Sequence, residues 1–351
     1  MGFNMAIIGY GGMGLHHHEN LQKWNLGLDV VGAYDIRPEQ TDVMKKNGIR
    51  AYATPEEIYA DKSIDLVLVA TPPDSHAAYS IAALEAGKNV ICEKPVCLSV
   101  KELESVYAAA EKAGKFFTVH QNRRFDTDYL TMRNIIDLKI LEKPFIIESR
   151  VQGARQYLLG WRSKKVNGGG MILDWGVHLI DQMLQMIPGK VVSITTHMHK
   201  THNEVDDTFT AYFRFDNGLS YLVNISMNCF VFQPRWHACF QNGSVVLNGW
   251  EGEGAITRLK PDSEDLGFEE IIVYTAAGPT RTMAPRPHDS VLKMSPPAVK
   301  GEWQNYYKNI LASLEGKATP LVTKAEALRL MRIIEMVIES GETGKSIECE
   351  I

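Results

Sequence analysis

The sequence predicts an α/β fold, with a doubly wound parallel sheet at the N-terminus followed by a second, β-rich domain. Three observations predict it. Up to about residue 120, short runs rich in Val and Ile alternate with longer helical patterns, the rhythm of repeated strand-helix-strand units. Beyond that point the rhythm changes to alternating or β-rich runs that read as antiparallel strands. At 351 residues the chain is also too long for one hydrophobic core of ordinary size, so two domains are expected.

Six strands are expected in the first part, at Asn4 to Ile8, Leu28 to Tyr34, Ile49 to Ala51, Asp65 to Ala70, Asn89 to Cys92 and Phe116 to Val119. One helix follows the first glycine loop, and Pro55 to Tyr59 begins another. Ser75 to Ala86 and Ser99 to Ala113 are longer helices, each with Ser at the N-cap, where a hydroxyl can accept an unpaired backbone N–H. A helix at Asp128 to Leu138 leads into strands at Phe145 to Val151, Val191 to His199, Thr208 to Phe215, Leu219 to Ser226 and Ser244 to Leu247. Asp216-Asn217-Gly218 joins two of these as a hairpin, since Asn-Gly supplies positive φ angles. A last helix from Lys324 to Glu339 is expected to stop near Gly341. The Pro-rich stretch from Ala276 to Pro297 reads as a loop or an oligomer arm.

Composition excludes several functions. A net charge of -5, with no run of Lys and Arg, offers no footprint for a phosphate backbone, so no nucleic-acid partner is expected. The first residues lack the basic start and long apolar stretch of a signal peptide, and no apolar run is long enough to span a bilayer. Cys92, Cys97, Cys229, Cys239 and Cys349 are odd in number and form no Cys-x-x-Cys pair, which suits reduced thiols in a cytoplasmic protein. His16, His17 and His18 point about 100 degrees apart on a helix and cannot share one metal. His197, His199 and His202 lack an acidic residue at ligand spacing, so no metal is assigned.

Gly9-Tyr10-Gly11-Gly12-Met13-Gly14 follows the first strand and opens a helix, where a dinucleotide's pyrophosphate would bind. Asp35 ends the second strand 21 residues after Gly14, placed to accept hydrogen bonds from the adenosine ribose. Its charge favours NAD over NADP, although Arg37 could offset repulsion of a 2′-phosphate. Thr71, Pro72 and His76 lie where the fourth strand ends, the edge at which parallel sheets bind ligands, and His76 reads equally as a solvated residue on a first helical turn. Glu93-Lys94-Pro95 ends the fifth strand, so Lys94 can reach the same crevice as acid, base or alkoxide stabiliser. After Gly168-Gly169-Gly170, Asp174 and His178 share one face of an amphipathic helix at four-residue spacing, a pair suited to acid-base work or simply to hydrogen-bonding each other. Tyr157, Trp161 and Arg162 could line a sugar pocket.

Together these motifs resemble the glucose-fructose oxidoreductase and inositol dehydrogenase family, often called Gfo/Idh/MocA, in the same order and over nearly the whole chain. The resemblance rests on Gly9 to Gly14, Ala70 to Pro72 with His76, Glu93-Lys94-Pro95, Gln121-Asn122-Arg123-Arg124-Phe125, Trp161-Arg162, and Gly168-Gly169-Gly170 leading to Asp174 and His178. It implies a Rossmann domain over residues 1–121. A substrate-binding and oligomerisation domain over 122–351 would carry an open, mostly antiparallel sheet, its last helix packing back on the first domain. It also implies a homo-oligomer, dimer or tetramer.

The resemblance implies that Lys94, Asp174 and His178 form the catalytic group of an NAD(P)-dependent dehydrogenase acting on a secondary hydroxyl of a sugar, glycoside or cyclic polyol. His178 would take the hydroxyl proton, Asp174 would orient the imidazole and Lys94 would hold the reacting oxygen. Gly9, Gly11, Gly12, Met13, Gly14, Asp35, Arg37, Thr71, Pro72, His76, Glu93, Lys94 and Asn122 would bind NAD, held tightly or released at each turnover. Arg124, Trp161 and Arg162 would join Lys94, Asp174 and His178 in contacting substrate. Two other functions fit the same residues: a redox-neutral glycosidase that transiently oxidises its sugar with retained NAD, and a non-catalytic nucleotide or sugar sensor.

Overall fold

The computed structural model describes residues 2–263, 272–280 and 288–351. The first sheet is built from β1 (Phe3–Ile8), β2 (Leu28–Tyr34), β3 (Arg50–Ala51), β4 (Leu66–Val69), β5 (Asn89–Cys92) and β6 (Phe117–Val119), all parallel, in the order β3-β2-β1-β4-β5-β6. Strands covered on both faces must be apolar throughout, and every residue of β4 is buried. Helices α1 (Gly12–Trp24), α2 (Gln40–Lys46), α3 (Pro55–Ala60), α4 (His76–Glu85) and α5 (Val100–Ala113) make the crossovers. Ser99 caps α5 by accepting the Glu102 N–H. Ser75 is not a cap: a 3-10 turn at Pro73–Ser75 precedes α4, and the Ser75 hydroxyl donates to Thr71 Oγ1 and the Pro72 carbonyl instead. The chain reverses its winding between β1 and β4, which opens a crevice at the carboxyl edge of this sheet.

After α6 (Thr127–Asp137) comes a nine-stranded sheet. Its strands are β7 (Pro144–Gln152), β8 (Val191–His199), β9 (Thr208–Phe215), β10 (Ser220–Ser226), β11 (Trp236–Phe240), β12 (Gly243–Leu247) and β13 (Gly254–Leu259), and, beyond the two-stranded ladder of β14 (Val273–Thr275) and β15 (Gly278–Thr280), β16 (Val291–Met294) and β17 (Ile347–Glu348). The order is β16-β13-β12-β11-β7-β10-β9-β8-β17, and β7 departs from the antiparallel expectation by pairing parallel with β10. β7 returns to β10 by a long crossover through α7 (Val177–Met186), β8 and β9, and such a connection permits a parallel pair where a hairpin cannot. In the β9–β10 turn Gly218 alone carries a positive φ, at +87°. Of the Pro-rich stretch, 281–287 lie outside the described residues, and β16 extends the sheet edge beside β13.

α8 (Gln304–Leu314) and α9 (Lys324–Thr343) tie the two cores together. Tyr306, Tyr307, Ile310, Ala327 and Met331 pack in the core of the first sheet, whereas Leu330, Ile333, Ile334 and Val337 pack in that of the second, so α9 serves both with adjoining faces. Thr323 and Glu326 form a reciprocal capping box at its start. The helix runs past Gly341 and stops at Gly344, whose φ of +67° is the left-handed turn that ends helices. Gly341 has a different use: a Cβ there would sit 3.0 Å from the Met198 Cβ, so the glycine lets α9 lie close on β8.

Candidate active site

Three residues of the glycine loop are fixed by sterics. Gly9 has φ +95°, and a Cβ on it would lie 2.7 Å from the Ala70 and Thr71 backbone. A Cβ on Gly14 would fall 2.2 Å from the Gly9 carbonyl oxygen, so helix and loop pack only with glycine there. Gly11, at the N-cap of α1, places no side chain on the free N–H groups of Gly12, Met13 and Gly14, and the first turn carries no acidic residue. That bare, positively polarised helix end fits a dinucleotide pyrophosphate.

Asp35 is turned toward Arg37. Its Oδ1 accepts the Arg37 backbone N–H at 2.9 Å and Nε at 3.0 Å, and Oδ2 accepts Nη2 at 3.2 Å. The Arg37 guanidinium thereby reaches the glycine loop, 3.1 Å from where a Cβ on Gly11 would stand. Thr71 and Pro72 border the crevice at the end of β4. His76 does not: it is 1% exposed, with Nδ1 2.8 Å from the Pro95 carbonyl and Nε2 2.7 Å from that of Thr71. Burial lowers the pKa of this imidazole from the ordinary histidine value, against the pull of the two carbonyls that its ring nitrogens face. Its two contacts tie the ends of β4 and β5 together. Glu93 is likewise buried, its carboxylate directed at His17 and His120, away from the crevice. Asn122 is half-buried at the start of the 3-10 turn that follows β6.

Lys94 extends from the end of β5 to the segment that carries Asp174. Its Nζ donates to Asp174 Oδ1 at 2.8 Å and to the Asp174 carbonyl at 3.0 Å. Arg162 Nε donates to Asp174 Oδ2 at 2.8 Å while its guanidinium lies over the Trp161 ring. Burial opposes charge on Asp174, but the cations of Lys94 and Arg162 outweigh it and hold the carboxyl below its usual range. Both carboxylate oxygens are thus engaged by cations, which corrects the expectation that Asp174 orients the imidazole. The local backbone differs as well: Ile172–Gly176 is a π-helical turn leading into α7, a distortion frequent at functional sites.

His178 is 4% exposed, and its Nδ1 has no hydrogen-bond partner among the described residues. Burial, then the nearby charges of Lys94 and Arg123, hold its pKa well below the ordinary value. A neutral imidazole beside an ammonium results, with a nitrogen available to accept a proton.

Arg124, expected at the substrate, is instead a brace. It pairs with Asp181 of α7 through two bonds of 2.8 and 2.7 Å, and donates to the Leu321 carbonyl at 2.5 Å. Its neighbour Arg123 faces the site side, 4.2 Å over Trp175 and within 6 Å of the Trp250 and Trp303 rings. The motif shows two arginines, and only the tight turn between them decides which one pairs with Asp181 and which lies over Trp175.

Asp206 escapes sequence reasoning altogether. It sits under Gly170, where a Cβ would meet its Oδ1 at 2.1 Å, and its Oδ2 accepts the Ile172 N–H at 2.7 Å, so it supports the π-turn. Burial raises its pKa from 3.8 to about 7. A carboxyl raised on folding contributes its stability below pH 3.8, and that contribution is lost as pH climbs to about 7. Asp206→Asn is therefore expected to match the parent's melting temperature near pH 4 and to exceed it by a few degrees, roughly, at pH 8. Parallel melting curves across that range would remove Asp206 as the source of the pH dependence.

The comparisons agree with this architecture. Residues 3–121 match the model described as an oxidoreductase family with NAD-binding Rossmann fold, and residues 129–246 match the GFO/IDH/MocA C-terminal domain. The chain is 29% identical to scyllo-inositol 2-dehydrogenase (NADP(+)) IolW of Bacillus subtilis, over 99% of this chain and 96% of that protein. A scyllo-inositol 2-dehydrogenase (NAD(+)) of the same organism is 28% identical over 61% of this chain and 64% of its own length. The crystal structure of an NAD-binding protein from Listeria innocua superposes with a TM-score of 0.94 at 34% identity, covering 99% of both chains. With both domains matched in order and the whole chain superposing on an NAD-binding protein, this chain belongs to the Gfo/Idh/MocA family of NAD(P)-dependent oxidoreductases.

Proposed function

We propose that this protein transfers hydride between NAD and a secondary hydroxyl carbon of a sugar, glycoside or cyclic polyol. The observation that carries the reading is the convergence of a Lys94 ammonium, paired with Asp174, and a neutral His178 at the carboxyl edge of the nucleotide-binding sheet. The named relatives act on inositols, which supports a ring-shaped, hydroxyl-rich substrate. Bound nicotinamide supplies the hydride acceptor or donor.

The chain's own groups handle the proton and the developing charge. His178 accepts the hydroxyl proton, and Lys94 holds the reacting oxygen, where a fixed cation stabilises charge as it forms. Asp174 holds the Lys94 side chain in place, and Arg162 shares that carboxylate at the outer side. Trp161 and Arg162 border the substrate. The decisive experiment identifies any nucleotide released from the purified protein, then follows absorbance at about 340 nm with a panel of sugars and polyols. Reduction of added NAD with one of them supports the dehydrogenase. Sugar release from a glycoside without added NAD would support the redox-neutral glycosidase, and binding without either reaction would support the sensor.

Asp35 favours NAD, since a 2′-phosphate would bring its charges against the carboxylate, and Arg37 is already neutralised by that carboxylate. Asp35→Ala is expected to raise the KM for NAD about tenfold while leaving Arg37 free to improve NADP use. An unchanged ratio of kcat/KM for the two cofactors would overturn this assignment.

A homo-oligomer, dimer or tetramer, is proposed on the outer face of the nine-stranded sheet, where Ile146 and Tyr212 stand exposed. Light scattering of the purified protein measures that mass. No helix of the described residues is long and apolar enough to cross a membrane. The five cysteines carry no disulfide, which supports a cytoplasmic setting.

A further inference from the structure

Glu93 precedes Lys94 in the chain, yet its carboxylate belongs to a different network. His17 Nε2 lies 2.6 Å and His120 Nδ1 2.8 Å from its Oε1, while Oε2 accepts the Lys94 backbone N–H at 3.1 Å. The Glu93 carboxylate can only accept, so His17 carries its proton on Nε2 and donates there, which leaves Nδ1 to accept from the Tyr307 hydroxyl 2.5 Å away. All four side chains are buried, and they come from α1, the end of β5, the end of β6 and α8.

His17, Glu93 and His120 are also close enough to ligate an ion, but the spacing is that of hydrogen bonds. Zinc bonds near 2.0 Å in tetrahedral geometry would hold nitrogen and oxygen roughly 3.3 Å apart. The observed 2.6 and 2.8 Å are those of N–H groups donating to an ionised carboxylate.

We infer that Glu93, gripped by His17 and His120, is a positioning residue that fixes the Lys94 backbone and so aims the ammonium at the reacting oxygen. A lysine side chain has four rotatable bonds, so its ammonium is only as well placed as its backbone and its terminal partners. Asp174 supplies the partner, and Glu93 anchors the backbone on one side while His76 braces the Pro95 carbonyl on the other. His17 stands on the helix whose N-terminus forms the phosphate cradle, so the same network sets Lys94 relative to the cofactor site. Burial opposes the Glu93 charge, yet the two histidines hold its carboxyl well below the usual range, and the anchor stays ionised.

This inference rests on Lys94 acting at the reacting oxygen. Two substitutions at one position test it. Asn places an amide N–H where His120 Nδ1 stands and keeps the bond to Glu93. Leu keeps apolar bulk against Tyr306 and Tyr307 but donates nothing. His120→Leu is expected to lower kcat about tenfold or more with the KM for NAD within about twofold, and His120→Asn to retain kcat within about threefold. The pair His17→Gln and His17→Leu repeats the comparison at Nε2 should His120→Leu fail to fold. A wild-type kcat in the leucine variants would overturn the inference. So would equal loss in the Asn and Leu variants that tracks melting temperature, because packing alone would then explain both. Lys94→Ala separates the two levels: full activity there defeats the reading of Lys94 itself. An inactive Lys94→Ala beside a fully active His120→Leu defeats only the positioning role.

Discussion

Lys94→Ala is expected to lower kcat/KM by about 10³-fold with the chain still folded. The loss is large because the ammonium is held in place by the Asp174 carboxylate, at 2.8 Å. Stabilisation of a developing alkoxide in a water-poor site has no substitute from bulk solvent. The fold should survive because Asp174 keeps its Arg162 partner, and the substitution leaves no carboxylate without a cation. Circular dichroism and a melting temperature near the parent's establish the fold, and single-turnover reduction of NAD reads the chemistry. Turnover within a few-fold of the parent would remove Lys94 from the mechanism.

His178→Ala is expected to cost about 10² to 10⁴-fold in kcat, the usual contribution of a positioned base. The imidazole is buried without a partner at Nδ1 among the described residues, so its removal strands no hydrogen-bonding group. The pH profile gives a second reading. Because burial, Lys94 and Arg123 all disfavour the imidazolium, the base remains neutral as pH falls through the ordinary histidine range. The acid limb of kcat/KM is expected well below that range. An acid limb at the ordinary histidine value that persists in His178→Ala would assign it to another group and leave His178 without the base role.

The parallel sheet was legible because its signals are local. Two of the expected strands, Leu28–Tyr34 and Asn89–Cys92, carry the observed bounds, and the others differ by a residue or two at their ends. Apolar runs of strand length between capped helices leave few other folds. β13 and β16 have no clear alternation of buried and exposed residues, and each is a strand only through the partner beside it, whereas β11 alternates but is only five residues long. The helix at Lys324 began where Thr323 and Glu326 form a cap, but its end was misplaced because Gly341 answers to packing on β8, a contact invisible along the chain.

The sequence by itself determined the glycine loop, the order of the strands that carry it, and the presence of Lys94, Asp174 and His178 at element ends or on one helical segment. Those features follow from steric demands and periodicities that act within a few residues. Only the tertiary structure decided what each side chain does there. It gave Asp174 to Lys94 and Arg162, paired Arg124 with Asp181 and laid Arg123 over Trp175, buried His76, and bound Glu93 to His17 across 76 residues and His17 to Tyr307 across 290. A buried charge or donor must find a partner wherever the fold brings one, and proximity in space is a property of the packed chain, which no local pattern encodes.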